Sequence, residues 1–262
     1  MRRAGMKIDF NEEKHEYSVN GVKVPSVSEI LSPLNADRYG DINPAVLRAA
    51  AEKGTAVHEM CEAIDYGIFT SEMEDEMPPE LEGYVNAYFQ FLFDHDVYWE
   101  MVEQIVACYR GVEGEPPIYA GTIDRFGIVD GKAAVLDIKT YASMTTEAQM
   151  TASCQTALYR DAIFHSDASV SVGRMSGKSP FTITGADIDD DYIVVAPLPI
   201  AFIKDNPIHR YILHLKKDGK YRLIDLANFD EKRGWDGPAV ARELTHMYYQ
   251  KKAALAGKRG KK

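Results

Sequence analysis

Cysteine is scarce in this chain: Cys61, Cys108 and Cys154 are the three in 262 residues, far apart and without a C-x-x-C pair. An odd, scattered set excludes a disulfide framework, and it excludes a zinc or iron–sulfur site made by cysteine alone. Long apolar runs are missing as well, so no segment approaches the roughly 20 residues that span a bilayer. The opening MRRAGMKIDF carries two arginines but no apolar stretch behind them, so it does not read as a secretory signal. No G-x-x-x-x-G-K-[ST] phosphate loop occurs, and no internal repeat or long linker divides the chain. These absences point to a protein without membrane segments in a reducing cytoplasm.

Positive charge is also in short supply, with 30 Lys and Arg against 40 Asp and Glu and a net charge of −10. That balance weighs against a nucleic-acid binder without excluding one, because phosphate binding needs local positive potential rather than a positive total. Much of the acid lies in SEMEDEMPPELE at 71–82, which reads as a solvated loop entering a helix. The tail KKAALAGKRGKK has the opposite sign, and HRYILHLKKDGKYR reads as an exposed hairpin around Asp218-Gly219 with solvated lysines, or as a surface that tracks DNA.

What is present has alternating periodicities. IDFNEEKHEYSVNGVKV alternates apolar and polar residues around Asn20-Gly21, a tight-turn dipeptide, and SVSEIL follows as a helical turn. Asn43-Pro44 starts a helix that runs through AVLRAAAEKGTAVHEMCEAID to Gly67, and Pro79 starts a second, ELEGYVNAYFQFLFDHD. YWEMVEQIVACY, YAGTIDRFGIV and AAVLDIKT read as strands, followed by a helix from about Thr145 to His165. Residues 166–189 read as a loop, YIVVAPLPIAFI and the stretch from His209 as further strands, and about Gly237 to Ala256 as a last helix. The expectation is an α/β fold with a central mixed β-sheet flanked by α-helices and an N-terminal β-hairpin. One domain is expected over 1–262, with a core of about 41–228, the hairpin at 7–31, and the C-terminal helix and basic tail at 237–262.

The sharpest inference comes from YAGTIDRFGIVDGKAAVLDIKT. With Asp130-Gly131 as a two-residue turn, Val129 faces Lys132, and the same register sets Asp124 opposite Asp137. Facing side chains have Cβ atoms about 4.5–5.5 Å apart. Lys139, two residues beyond Asp137, projects from the same face. AAVLDIK is otherwise apolar on both sides, the pattern of a buried central strand. Two carboxylates buried there repel each other unless something pairs with them, and a divalent cation supplies that partner. D-x-K in a strand also fits a structural ion pair, with Asp124 at a solvated edge.

Two helices flank this hairpin. Gly54, His58 and Glu62, four apart, share a stripe beside the apolar Val57, Cys61 and Ile64. The glycine suggests a kink or a close approach, and His58 sits beside the face that must bury, as a metal ligand or as a satisfied boundary histidine. Gln155 and Tyr159 form a similar pair on the helix after the Asp137 strand. That helix packs back across its sheet, which brings the pair near Lys139; read singly, it is an ordinary polar stripe.

Taken in order, GTAVH (54–58), GTID (121–124), LDIKT (136–140) and QTALY (155–159) resemble the RecB-like exonuclease branch of the PD-(D/E)XK nucleases. SVNGVKVPSVSEIL is similar to the start of stand-alone and phage members. The likeness covers roughly 15–165. It implies a restriction-endonuclease-like core and a metal-dependent nuclease that hydrolyses DNA phosphodiester bonds. The resemblance favours an exonuclease in recombination, repair or phage DNA processing. It implies His58, Asp124 and Asp137 as metal ligands with the backbone carbonyl of Ile138, Lys139 as the catalytic lysine, and Gln155 and Tyr159 as positioning groups. One or two Mg²⁺ or Mn²⁺ ions are the implied cofactor. The implied partners are single-stranded DNA or duplex ends, with a recombination or annealing protein as a further partner. Iron–sulfur members use four cysteines that this chain lacks, so no such cluster is expected. The rival readings are a non-catalytic nuclease-fold module that binds DNA, and an acidic interaction domain holding a structural ion. Exonuclease against endonuclease, strand polarity and oligomeric state are not written in these residues.

Overall fold

A computed structural model describes residues 8–11, 14, 16–19, 21–39, 42–108, 118–165, 172–173, 193–194 and 207–259. Three short strands, β1 (Ile8–Asn11), β2 (Glu16–Val19) and β3 (Val22–Val24), form an antiparallel sheet. Val19 pairs with Val22, the register that the sequence predicts. Helix α1 (Val27–Ile30) opens on a capping box between Ser26 and Glu29, and α2 (Ser32–Tyr39) follows.

Helix α3 (Pro44–Asp65) begins where the sequence places it, with the Asn43 side chain accepting from the Ala45 N–H. The acidic block is a correction: Ser71–Glu76 forms a short helix, α4, rather than a loop. Thr70 caps its start, and Glu72 and Glu74 lie in the first turn, where the helix dipole favours negative charge. Helix α5 (Pro79–Asp94) then leads into the main sheet.

That sheet is carried by β4 (Val97–Cys108), β5 (Tyr119–Val129), β6 (Lys132–Lys139), β9 (His209–Leu215) and β10 (Tyr221–Asp225). The order is β10-β9-β6-β5-β4, and two-residue strands β7 (Val172–Gly173) and β8 (Ile193–Val194) extend it beyond β4. Among the described residues, β6 and β9 are the strands of this sheet that pair in parallel, so the sheet is mixed. Helix α6 (Thr146–His165) lies in the chain between the two strands of that parallel pair, which cannot be joined by a tight hairpin. Two elements close the chain: α7 (Leu226–Arg233), which the sequence reading did not foresee, and α8 (Gly237–Arg259). Asp225 caps α7 by accepting from Ala227 and Asn228. The expected loop at 166–189 and strand at 192–203 lie outside the described residues apart from β7 and β8.

Strand β6 shows why the sheet is central. Ala133 and Val135 pack into the core under α1, α6 and α8, while Ala134, Leu136 and Ile138 pack into the opposite core under α3 and α5. The fold is therefore α/β, a mixed sheet with helices on both faces, plus the N-terminal three-stranded sheet. Among the described residues, no helix is long and apolar enough to cross a membrane.

Candidate active site

The Asp130-Gly131 turn fixes the register of β5 and β6 as expected, from Val129↔Lys132 to Arg125↔Leu136. The next pair in that register is Asp124 and Asp137, and there the ladder stops. Asp124 uses its carboxylate in place of the ladder, accepting from the Ile138 N–H at 2.7 Å. On the other side of β5, Val102↔Arg125 and Gln104↔Ile123 bracket a position where Glu103 faces Asp124, and that pairing is also missing. Glu103, Asp124 and Asp137 thus form a row of acids across three adjacent strands, with the sheet opened at that row.

Glu103 is the residue the sequence reading missed. A bulge between Trp99 and Met101 shifts the register of β4, and Glu103 itself sits at φ 47°. A bulge reverses which face each later side chain takes, so counting alternation along β4 misplaces Glu103. Gly127 permits the bulge, because any Cβ there collides with the Tyr98 carbonyl. The one available signal was a lone acid, beside Gln104, in the mostly apolar stretch VEQIVAC.

Helix α3 brings His58 into this opening. Its Nδ1 lies 3.1 Å from Glu103 Oε1 and 3.9 Å from Asp124 Oδ2, and its Nε2 lies 3.2 Å from the Ile138 carbonyl. Both ring nitrogens face oxygens, so without a metal the geometry calls for an imidazolium that donates on both sides. Burial opposes that charge, but Asp124 and Glu103 outweigh it and hold the His58 pKa above its ordinary value. Burial pushes the Asp124 carboxyl up to about 7 against the pull of His58, and repulsion from Asp137 and Glu103 adds to the rise. Burial acts on Glu103 in the same sense but loses to His58 and Arg125, so its carboxyl is lowered. His58, Glu103 and Asp124 each offer a ligand atom within 4.8 Å of the others. The Ile138 carbonyl, the further ligand the resemblance implies, faces the other ring nitrogen of His58, Nε2.

Asp137, 1% exposed, lies beside this group and is held by Lys139, whose Nζ is 2.9 Å from Oδ1 and 2.7 Å from Oδ2. Lys139 also reaches Gln155 Oε1 at 3.4 Å, and Gln155 Nε2 reaches the Tyr159 hydroxyl at 3.4 Å. The packing of α6 across the sheet therefore brings Gln155 and Tyr159 to the strand end, as expected. Burial disfavours the Lys139 ammonium, yet Asp137, Tyr141 and Asp124 outweigh it and raise its pKa. Lys139 is a fixed positive charge here and a poor base. Tyr159 comes close because Gly121 has no side chain: a Cβ there would meet Tyr159 Cε1 at 2.9 Å. Gly54 is different. A Cβ at that position would meet only Thr140 Oγ1 at 3.8 Å, an ordinary contact, so no neighbouring protein group demands the glycine.

Beneath the acids lies Arg125, 0% exposed and also unforeseen. Its Nε donates to Asp65 Oδ2 at 2.6 Å, and its Nη1 donates to Glu103 Oε1 at 2.9 Å and to the Asp124 carbonyl at 2.7 Å. The Tyr88 hydroxyl donates to both Asp65 oxygens at 2.8 Å. Four carboxylates (Asp65, Glu103, Asp124, Asp137) thus face two permanent cations, Arg125 and Lys139. With a neutral imidazole the acids outnumber the permanent cations, and the partly buried Glu62 adds to the same excess.

No protein-family model matches the sequence, and a search of curated proteins finds no relative.

Proposed function

We propose that this protein is a metal-dependent nuclease that hydrolyses DNA phosphodiester bonds, acting as an exonuclease of the RecB-like type. The observation that carries the reading is the row of acids: Glu103, Asp124 and Asp137 share an opening in the sheet with His58 on one side and Lys139 on the other. The donor set fits a hard divalent cation. Carboxylates, a backbone carbonyl and one imidazole suit Mg²⁺ or Mn²⁺, and no thiol takes part. The raised Asp124 carboxyl and the doubly donating His58 support the same fit, since both compensate for a missing positive charge. His58, Glu103, Asp124 and the Ile138 carbonyl would hold the ion, with Asp137 completing the acidic side.

A bound ion of this kind polarises a phosphoryl oxygen and lowers the pKa of water. The remaining work belongs to the side chains. Lys139, charged and fixed by Asp137, sets a positive charge where a phosphate gathers negative charge during cleavage. Gln155 restrains Lys139 and, through Tyr159, is itself restrained, so the ammonium keeps its aim. The net charge of −10 does not oppose a DNA substrate at such a site, because attraction there is local.

Digestion of end-labelled linear and closed circular DNA, single- and double-stranded, with Mn²⁺ and then with excess EDTA tests the reading. The expected result is shortening of linear DNA with Mn²⁺, none with EDTA, and sparing of circles. DNA binding without any cleavage would favour a non-catalytic nuclease-fold module instead.

A further inference from the structure

The ion site has a support that none of its own ligands provides. Glu103 stands in the left-handed backbone region at φ 47°, a conformation that costs a non-glycine residue roughly 1–2 kcal/mol. Such strain persists only where the surroundings over-determine it. Arg125 is the surrounding group that does so: its Nη1 holds Glu103 Oε1 at 2.9 Å and also holds the Asp124 carbonyl of its own strand at 2.7 Å. One nitrogen thereby ties β4 to β5 where their ladder is broken. Asp65, at the last turn of α3, fixes the guanidinium from behind, and Tyr88 on α5 fixes Asp65. Helix α3 thus contributes His58 directly and Asp65 indirectly, two turns apart.

We propose that Arg125 is the positioning residue of the ion site: clamped by Asp65, it holds Glu103 in the strained conformation that delivers its carboxylate to His58 and Asp124, and so sets the affinity for the divalent ion. The inference rests on the ion-binding reading above. Asp65 is essential to it for a second reason. A bare guanidinium this near the site would repel a cation, whereas one neutralised by a buried carboxylate orients Glu103 without that penalty. Glu103 then keeps its carboxylate turned to the ion site.

The test is Mn²⁺ binding by calorimetry at fixed pH, with thermal unfolding recorded on every sample. Groups that orient metal ligands typically contribute 10–100-fold in metal affinity. Arg125→Met is expected to weaken Mn²⁺ binding by about that factor, and Arg125→Lys by less. Asp65→Asn, which keeps its shape, is expected to weaken it too, because the guanidinium charge is then unbalanced. In a Glu103→Gln background, Arg125→Lys should change the affinity by less than about twofold while still lowering the Tm. Should Arg125→Met fail to fold, Arg125→Lys and Asp65→Asn carry the test. Wild-type protein that binds no Mn²⁺ overturns the ion-site reading and this inference with it. Wild-type binding together with folded Arg125→Lys and Asp65→Asn of unchanged affinity overturns this inference alone, leaving Arg125 as structural support.

Discussion

Two buried charge clusters among the described residues are built differently. On the α6 and α7 side, Arg210 Nη2 donates to Asp230 Oδ2 at 2.8 Å, and its Nη1 donates to the Ser153 carbonyl and hydroxyl oxygens. Ser153 Oγ in turn donates to the Asp230 carboxylate. One cation meets one anion, each oxygen and nitrogen in that exchange has a partner, and α6, α7 and β9 are joined. The cluster at the sheet opening has four acids against two permanent cations; burial, with repulsion from Asp137 and Glu103 added, raises the Asp124 carboxyl, and Asp124 and Glu103 raise His58. Burial alone therefore does not mark a site. A buried cluster that balances its charge explains itself as structure, while one left with an excess of one sign points to a missing partner.

Mutations should separate the two clusters. The largest expected effect is on cleavage: Asp124→Asn should lower it by about 10³-fold or more, since it removes a ligand and a charge the proposed chemistry needs. Gel analysis of end-labelled DNA checks it. Lys139→Ala should cost about 10²–10³-fold in the same assay in protein that still folds, beyond any stability lost because Asp137 gives up its buried partner, as expected for loss of one preorganised electrostatic group. Arg210→Ala should act oppositely. Leaving Asp230 buried and unpaired should destabilise the protein by about 3–5 kcal/mol in urea unfolding, with Mn²⁺ affinity unchanged.

Smaller effects sharpen the contrast. In metal-free protein at pH 8, Asp124→Asn should raise stability by on the order of 1 kcal/mol by relieving repulsion among the acids. The pH dependence follows from the same group. A carboxyl raised from 3.8 to about 7 contributes stability that is fully present below about pH 4 and lost as pH rises through about 7. His58, also raised, loses its contribution in the same direction above its ordinary value. The Tm of metal-free protein should thus fall as pH rises from about 5 to 8, while Mn²⁺ affinity rises over the same window because ligands must shed protons to bind. A scanning-calorimetry series with and without Mn²⁺ checks both halves; in Asp124→Asn the fall should be reduced.

The legible parts of this molecule are those governed by local rules. Asp130-Gly131 fixes the β5–β6 register, so the facing of Asp124 and Asp137 follows from counting, although the counting does not reveal that the ladder ends there. Asn43-Pro44 starts α3, and spacing by four puts Gln155 and Tyr159 on one stripe of α6 that packs onto the Lys139 strand. Glu103 was hidden because a bulge and a positive φ break the alternation of β4. Asp65 and Arg125 were hidden because their pairing joins a helix end to a strand 60 residues later. Charged residues in buried elements call for partners, and an acid in VEQIVAC or an arginine in TIDRFGI was a question the sequence asked without naming the answer. The α4 helix is a milder case: Thr70 and the following acids are a start signal that its high charge disguised as a loop.

The central claim is that the opened row of acids is a site for a divalent ion. Crystals of wild-type protein soaked in Mn²⁺ and measured at a wavelength where manganese scatters anomalously test it most directly. The account predicts an anomalous peak at coordination distance from His58, Asp124, Glu103 and the Ile138 carbonyl, with His58 no longer donating to that carbonyl. No peak there, with His58 still bridging Glu103 and Ile138 in saturating Mn²⁺, would contradict it.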